Sequence, residues 1–231
     1  MQIKDLAIGD GFVYLMEGSS KVKFYALSHN YESGLNGKGR TLFCSESPAG
    51  SGTHTTSAKE NYRVDSNNED ALYKNTYVNK VSGEVRKLIG MTKYIGQYVY
   101  MTYTQTGNPS KAVLYGDTYE SSFFPLSTAE VGGSTFSDGS ALSSAAISRL
   151  ANILTRYGSG IWTRSPSMTY TGTSTSGYRM YYYANGQYIY STSGSRLSTA
   201  EGTYGGSYGY LPCYTLSEAL YIDKNGFASA D

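Results

Sequence analysis

Between Ile161 and Tyr214 the chain contains many tyrosines and few of the aliphatic residues that ordinarily fill a protein core. Ser, Thr, Gly and Asn separate the tyrosines, and the only tryptophan of the chain, Trp162, lies at the start of the segment. Tyrosine supplies a large, fairly rigid contact area, and small polar residues supply adaptable hydrogen bonds. A core built in the usual way would contain mostly Leu, Ile, Val and Phe. The segment therefore favours short strands joined by Gly-rich turns, with tyrosines at a recognition surface or in a tyrosine-filled interior.

Strands of period two would place about half of these tyrosines inside and half outside. They would then either contact a ligand or fill a loop-rich core and touch neighbouring subunits. Both interpretations stay open from the sequence. The candidate ligand contacts are Tyr178, Tyr181, Tyr183, Tyr188, Tyr190, Tyr204 and Tyr208.

Charge and hydropathy exclude several classes of function. The 231 residues carry 19 basic and 18 acidic side chains, a net charge of +1, which is no electrostatic footprint for nucleic acid or an anionic membrane. No run approaches the roughly 18 apolar residues of a membrane-spanning helix. Residues 1–10 lack the basic and apolar regions of a signal peptide. We therefore expect no nucleic-acid partner, no membrane insertion and no export by a signal peptide.

The periodicity of apolar residues predicts a mixture of strands and helices. Strands are predicted at residues 12–16, 22–26, 41–44 and 94–104, and Asn185-Gly186 between two tyrosine runs predicts a hairpin. Helices or helical turns are predicted at residues 66–77, 82–91, 127–130 and 143–154, the last with Ile147, Leu150, Ala151 and Leu154 on its apolar face. With no repeat and no linker, the simplest interpretation is one α+β domain over residues 1–231.

The cysteines and histidines are few and far apart. Cys44 and Cys213 are too few for a disulfide framework, and they are two buried thiols, one disulfide or a reactive pair. His29 at a strand end is interpreted as a hydrogen-bonded structural residue, and His54 as an exposed loop residue. Two distant histidines do not predict a zinc site, so we expect no metal ligands.

Trp162 and Arg164 flank Thr163, so they are predicted to face the same side of a strand. The structural interpretation packs Trp162 in the core and pairs Arg164 with a buried carboxylate or with carbonyl groups. The functional interpretation makes Arg164 a direct ligand contact. Pro166 is predicted to end the strand.

Five short motifs follow one another along the chain: LSHNYESGLNG at 27–37, GRTL at 39–42, LSTAEVG at 126–132, WTRSP at 162–166 and LPC at 211–213. Together they resemble a domain family of unknown function that is common in phages and prophages of gut and soil Firmicutes. The resemblance covers nearly the whole chain. Leu211 is a departure, because relatives often have Arg before this proline.

The resemblance implies a C-type-lectin-like fold, similar to sulfatase-modifying enzymes and phage tropism proteins. Such a fold would have short antiparallel strands, two to three helices and long Gly-rich loops. Tropism proteins of this fold display variable aromatic and small polar residues from their C-terminal part on a static scaffold. Sugar-binding relatives that need calcium use Glu-Pro-Asn or Gln-Pro-Asp, and neither triplet is present. Catalytic relatives use a reactive cysteine pair, which would require Cys44 and Cys213 to meet in space.

The function implied is that of a non-enzymatic phage virion surface protein, with no catalytic residues and no cofactor. It would bind a host-surface glycan or protein through the tyrosine-rich C-terminal face. The alternative is a capsid decoration or a tail or baseplate component, whose tyrosine-rich surface binds other virion subunits. Both place the chain in the virion after synthesis in the host cytoplasm, with other virion proteins as partners, as a monomer or a homo-oligomer.

Overall fold

The fold was analysed in a computed structural model. The structure describes residues 1–49, 51–52, 55–56, 61–62, 77–103, 109–131, 139–157, 161–170, 175–182, 188–189, 202–203, 208–209 and 211–230. Only the backbone is described for part of the strand residues, which are 51–52, 55–56, 61–62, 97–103, 109–117, 162, 166–170, 175–182, 188–189, 202–203 and 208–209.

One five-stranded antiparallel sheet joins the two ends of the chain, and we call it the terminal sheet. Its strands are β1 (Phe12–Glu17), β2 (Ser20–Ser28), β3 (Arg40–Ser45), β7 (Val81–Ser82) and β15 (Cys213–Ser217). Their order is β15-β3-β2-β1-β7, and every neighbouring pair is antiparallel. Strand β15, from the last twenty residues of the chain, therefore lies beside β3, from the first fifty.

The β1–β2 hairpin follows from local sequence. Val13 and Leu15 are buried and alternate with half-buried neighbours, as expected for a strand with one face on a core. The strands are joined by Gly18 and Ser19, and Gly18 has φ of +60°, which glycine adopts at little cost in a tight hairpin turn. The strands predicted in this region, and the one at 41–44, are confirmed.

A second five-stranded sheet, the tyrosine sheet, contains the tyrosine-rich sequence. Its strands are β4 (Ser51–Gly52), β10 (Ile161–Tyr170), β11 (Thr175–Tyr182), β12 (Tyr188–Ile189) and β14 (Tyr208–Gly209), in the order β12-β11-β10-β14-β4. Strands β11 and β12 are antiparallel with Tyr182 opposite Tyr188. The predicted hairpin is confirmed by this pairing, and its connection, residues 183–187, lies outside the described residues.

The other described strands form smaller sheets. A long hairpin pairs β8 (Thr92–Tyr103) with β9 (Pro109–Ser121), and β6 (Asn61–Tyr62) adds to β8. Two short pairs are β5 (Thr55–Thr56) with β13 (Gly202–Thr203), and β16 (Tyr221–Ile222) with β17 (Ala228–Ser229). The strand predicted at 94–104 is confirmed as β8.

The longest described helix, α4, runs from Ser144 to Tyr157. Its first turn is capped by Ser143, whose Oγ accepts a hydrogen bond from the backbone N–H of Ala146 at 3.3 Å. The helix is confirmed, but its buried face is rotated from the predicted one. Ala146, Leu150, Ile153 and Leu154 are buried, whereas the predicted Ile147 and Ala151 are only half-buried.

The remaining helices are single turns: the 3₁₀ turn Ile3–Asp5, α1 (Ser33–Asn36), α2 (Val78–Lys80) and α3 (Val85–Leu88). The helix predicted over 82–91 was wrong in length, because Val81 and Ser82 pair with β1 and Gly83 has φ of +86°. Residues 127–130 form a turn rather than a helix. The helix predicted over 66–77 lies outside the described residues except for Tyr77.

Two buried clusters cover opposite faces of the terminal sheet. One contains Val13, Phe24, Phe43 and Tyr214, and the other contains Leu42, Cys44 and Cys213 together with residues of α4 and the hairpin β8–β9. Strand β3 is consequently buried at five consecutive positions. The architecture is α+β, with mainly antiparallel sheets and few helices; the pair β10–β14 is parallel. No described helix is long and apolar enough to span a bilayer.

Candidate functional site

Four of the seven candidate tyrosines lie in described strands of the tyrosine sheet. Tyr178 and Tyr181 are in β11, Tyr188 is in β12 and Tyr208 is in β14. The other three, Tyr183, Tyr190 and Tyr204, lie outside the described residues. For the candidate surface, the structure therefore gives the backbone positions of these four residues.

The backbone register divides the candidates between two faces of the tyrosine sheet. Tyr181 lies opposite Trp162, while Tyr182 lies opposite both Ile161 and Tyr188. Directly opposite positions share a face, and successive positions along a strand alternate. Tyr181 and Tyr188 are therefore on opposite faces, and Tyr188 shares the face of Ile161, which is buried.

The strand β10 is anchored in the core by Arg164, whose side chain is fully buried. Its Nη1 and Nη2 donate hydrogen bonds of 2.8 Å to Glu130 Oε2 and Oε1, a bidentate ion pair with a carboxylate that is also fully buried. Nη1 also donates to the carbonyl of Pro125 at 2.8 Å, and Nε to that of Ile95 at 2.9 Å. These contacts are the ones that the structural interpretation of Arg164 requires, because acceptors inside the protein occupy its guanidinium group.

The carboxylate of Glu130 has further donors. Tyr31 Oη donates to Oε1 at 2.5 Å, and the backbone N–H of Ser127 donates to Oε2 at 2.7 Å. The backbone N–H of Glu130 in turn donates to Ser127 Oγ at 3.1 Å, which completes a capping box. Burial and the neighbouring carboxylate raise the pKa of Tyr31 well above its ordinary value, so this hydroxyl stays protonated and donates.

Polar contacts from the same stretch of β10 hold the turn at 126–130. The backbone N–H of Arg164 donates to the carbonyl of Leu126 at 2.9 Å, and Ser165 Oγ accepts from the backbone N–H of Thr128 at 2.7 Å. Thr128 Oγ1 and Thr163 Oγ1 are 3.3 Å apart. We call the set Tyr31, Ser127, Glu130 and Arg164 the buried clamp. It ties the tyrosine sheet to the loop after β2 and to the turn after β9.

The structure corrects the prediction for Pro166. Strand β10 continues through Pro166 to Tyr170, and Pro166 lies opposite Arg179 of β11. The register shifts between Trp162 and Pro166. A proline without an N–H is tolerated at such an irregularity, where the regular ladder is interrupted. The side chain of Trp162 is not among those described, so its predicted packing stays a prediction.

Cys44 and Cys213 do meet in space. They are directly opposite each other on β3 and β15, and both are free thiols with no exposed surface. Burial raises the pKa of both thiols, and the charge of Arg149 opposes this only in part at Cys44. Neither side chain is poised as a thiolate nucleophile in the folded protein.

His29 follows β2 and makes internal contacts. Its Nδ1 is 2.7 Å from Thr41 Oγ1, and its Nε2 is 3.0 Å from the carbonyl of Leu6. Glu218 Oε1 lies 3.6 Å from Nδ1. The contacts are those of a structural histidine that joins the N-terminal turn to β3.

Glu130 and Tyr31 were missed as members of the site. The available signal was the spacing of Ser127 and Glu130, which is the capping-box pattern S-x-x-E. We interpreted this pattern as the start of a short helix. Glu130 of this pattern could instead have been matched with Arg164, for which a buried carboxylate partner was predicted.

Comparisons with known proteins do not assign this site. No protein-family model, no curated protein and no solved structure matches the chain.

Proposed function

We propose that the protein is a non-enzymatic phage virion surface protein with a C-type-lectin-like fold. In this proposal the tyrosine sheet recognises a glycan or protein of the host surface, while the terminal sheet and its two clusters form a static scaffold. The motifs shared with phage and prophage domains motivate the virion assignment. Aromatic rings stack on sugar rings and protein side chains alike, so the proposal covers both ligand classes.

The observation that carries the proposal is the double role of β10. Its first half, Ile161 to Ser165, contains four buried residues among those whose side chains are described, and Arg164 is held by the buried clamp. Both halves pair with β11, in which Tyr181 lies opposite Trp162 and Tyr178 lies opposite Ser167. A single strand thus connects a rigid core to the backbone that carries tyrosines. Such support keeps a binding surface preorganised, which lowers the entropy lost on binding.

The buried cysteines support a non-enzymatic role. A cysteine-based enzyme needs a thiolate that a substrate can reach. Cys44 and Cys213 have no exposed surface, and burial raises the pKa of both thiols. Substrate could reach neither sulfur without displacing the residues that cover this face of the terminal sheet.

Binding to isolated cell envelopes tests the proposal. The purified chain would be incubated with envelope preparations from a panel of Firmicutes, and bound protein measured by sedimentation. We expect saturable binding to at least one envelope. Because Tyr181 and Tyr188 are on opposite faces of the sheet, we expect Tyr181→Ala and Tyr188→Ala to differ, with one of them lowering affinity about 10-fold or more, as for an aromatic hot spot.

Tyr221→Ala is the matched control, because Tyr221 is 43% exposed and lies on β16, outside the tyrosine sheet. Its binding should equal that of the unmodified chain. No envelope binding, or equal binding by all three variants, would contradict the proposal. Binding only to phage particles that lack this protein would support the alternative of a decoration or assembly component.

A further inference from the structure

Cys44 and Cys213 come from the two ends of the chain and lie directly opposite each other in the terminal sheet. Each has its side chain in the same buried cluster, together with Leu42 and Leu211. Whether two opposed cysteines can be bridged depends on which kind of antiparallel position they occupy, since side chains are closest at positions without hydrogen bonds between the pair.

The backbone contacts of Cys213 identify the position. Its N–H donates to the carbonyl of Phe124 at 3.0 Å, and its carbonyl accepts from the N–H of Phe124 at 3.0 Å. Both groups therefore point away from β3. The N–H of Ser45 donates to the carbonyl of Pro212 at 3.1 Å, which places the hydrogen-bonded position one residue further along. Cys44 and Cys213 thus form a non-hydrogen-bonded pair.

The Cα atoms of such a pair are typically about 4.5 Å apart. Disulfides join Cα atoms that are about 4.4–6.8 Å apart. The backbone of the terminal sheet is therefore already in range, so that a bond would need rotation of side chains and no movement of strands. This backbone geometry distinguishes Cys44 and Cys213 from two cysteines that are buried in the same core without lying within disulfide range.

We propose that Cys44 and Cys213 form an intramolecular disulfide across β3 and β15 when the chain folds in the presence of a small-molecule disulfide oxidant. One thiolate attacks the oxidant and releases a thiol, and the second thiolate then displaces the other half of the oxidant as a second thiol. The protein loses two electrons and two protons, and the oxidant gains them. The product fastens β15 to β3 in the terminal sheet.

Burial determines when the bond forms. Neither sulfur is exposed in the folded chain, and burial raises the pKa of both thiols. The reduced, folded protein should therefore react slowly, because exchange requires an accessible thiolate. The bond should form while β15 is still docking, and once formed it should be equally shielded from reductants.

The test uses the full chain, unfolded with reductant and refolded by dilution with reduced glutathione alone or with a mixture of oxidised and reduced glutathione. Thiols are then counted under denaturing conditions, and the intact mass is measured. In the oxidising arm we expect loss of both thiols, a monomeric product about 2 Da lighter and without a glutathione adduct. Its melting temperature should be roughly 10 °C higher than that of the reduced arm, as for a bond that closes a long loop.

Two free thiols in the oxidising arm, a glutathione adduct on one cysteine, or a lower melting temperature would each overturn the proposal. The double variant Cys44→Ala/Cys213→Ala is the control, and its melting temperature should be the same in both arms. If this variant does not fold, the thiol count and mass of the unmodified chain still decide the question.

Discussion

The terminal sheet and the tyrosine sheet each have five strands, yet they are positioned by different interactions. In the terminal sheet, alternating apolar residues such as Val13, Leu15 and Phe24 are fully buried. In the tyrosine sheet, the described anchor is a polar one, the ion pair of Arg164 with Glu130. In β1 apolar burial favours one register, because a slip of one residue would move Val13 and Leu15 out of their buried positions. A strand rich in Tyr, Ser and Thr has a weaker preference, and a fixed arginine fork supplies the missing specificity.

Removing the anchor should have the largest effect. Arg164→Met would leave the Glu130 carboxylate buried without its cation, which typically costs about 3–5 kcal/mol of unfolding free energy. If the anchor organises the tyrosine sheet, backbone amides of residues 161–170 and 175–182 should exchange faster than those of β1 to β3. Denaturant unfolding and hydrogen exchange by mass spectrometry measure the two effects.

The matched control is Lys87→Met, since Lys87 pairs with Glu84 on an exposed surface. Such pairs contribute about 0–1 kcal/mol. The double variant Arg164→Met/Glu130→Gln should be more stable than Arg164→Met, because it leaves no unpaired buried charge. A loss below about 1 kcal/mol in Arg164→Met, or equal protection of both sheets, would show that the clamp does not position the tyrosine sheet.

Alkaline pH should destabilise the folded protein through buried groups that include Cys44, Cys213 and Tyr214 of the terminal sheet. Burial raises the pKa of all three groups, so the unfolded chain loses these protons first and is favoured as the pH rises. The free energy of unfolding should be constant below about pH 8.5, the ordinary pKa of a thiol. Above this pH it should fall by about 1.4 kcal/mol per pH unit for each group that ionises in the unfolded chain. Melting temperatures of the reduced protein from pH 7 to 10.5 would measure this.

The variant Cys44→Ala/Cys213→Ala should show a smaller decrease between about pH 8.5 and 10. Tyrosine ionisation in the unfolded chain begins to contribute only near pH 10. A melting temperature that stays constant to pH 10.5 in the unmodified protein would contradict the burial of these groups.

A smaller effect is expected from overpacking the buried clamp. A Cβ on Gly139 would lie 2.7 Å from Glu130 Cγ and 2.8 Å from Ser127 Oγ. Gly139→Ala should therefore cost about 1–3 kcal/mol, as overpacked sites do. Gly34→Ala is the control, because nothing lies within 4 Å of its Cβ position and it is in helix α1, where alanine is favoured. Chemical denaturation would show the difference, and equal stabilities would argue against a tightly packed clamp.

The smallest effect has the opposite sign. Among the described residues, Tyr214 Oη has no hydrogen-bond partner, and its ring packs against Phe24, Phe43 and Phe123. Tyr214→Phe should stabilise the protein by about 1 kcal/mol, since it removes a buried, unpaired hydroxyl. Tyr31→Phe should instead destabilise it by about 1.5–3 kcal/mol, because Tyr31 donates to a charged carboxylate. Thermal melting of both variants would test whether the ring of Tyr214 stabilises the core without any contribution from its hydroxyl group.

Several elements could be predicted because their signals are local. The β1–β2 hairpin has alternating burial around a glycine turn, and α4 has a serine cap and apolar residues at helical spacing. The helix predicted at 82–91 was wrong in length because pairing of Val81 and Ser82 with β1 overrides a helical pattern. The buried face of α4 differs from the predicted face, because the elements that a helix packs against decide which of its faces is buried.

The sequence by itself determined the α+β class, the main strands and the unusual tyrosine content of the C-terminal part, since periodicity and composition act over short distances. Tertiary structure alone decided that Arg164 pairs with Glu130, that Tyr31 completes the same cluster, and that Cys44 faces Cys213. Each of these contacts joins segments that are far apart along the chain. For Arg164, Glu130 and Tyr31 the physical basis is the cost of burying a charge or a polar group without a partner, and that cost depends on which segments meet in space. Cys44 faces Cys213 because β3 and β15 pair.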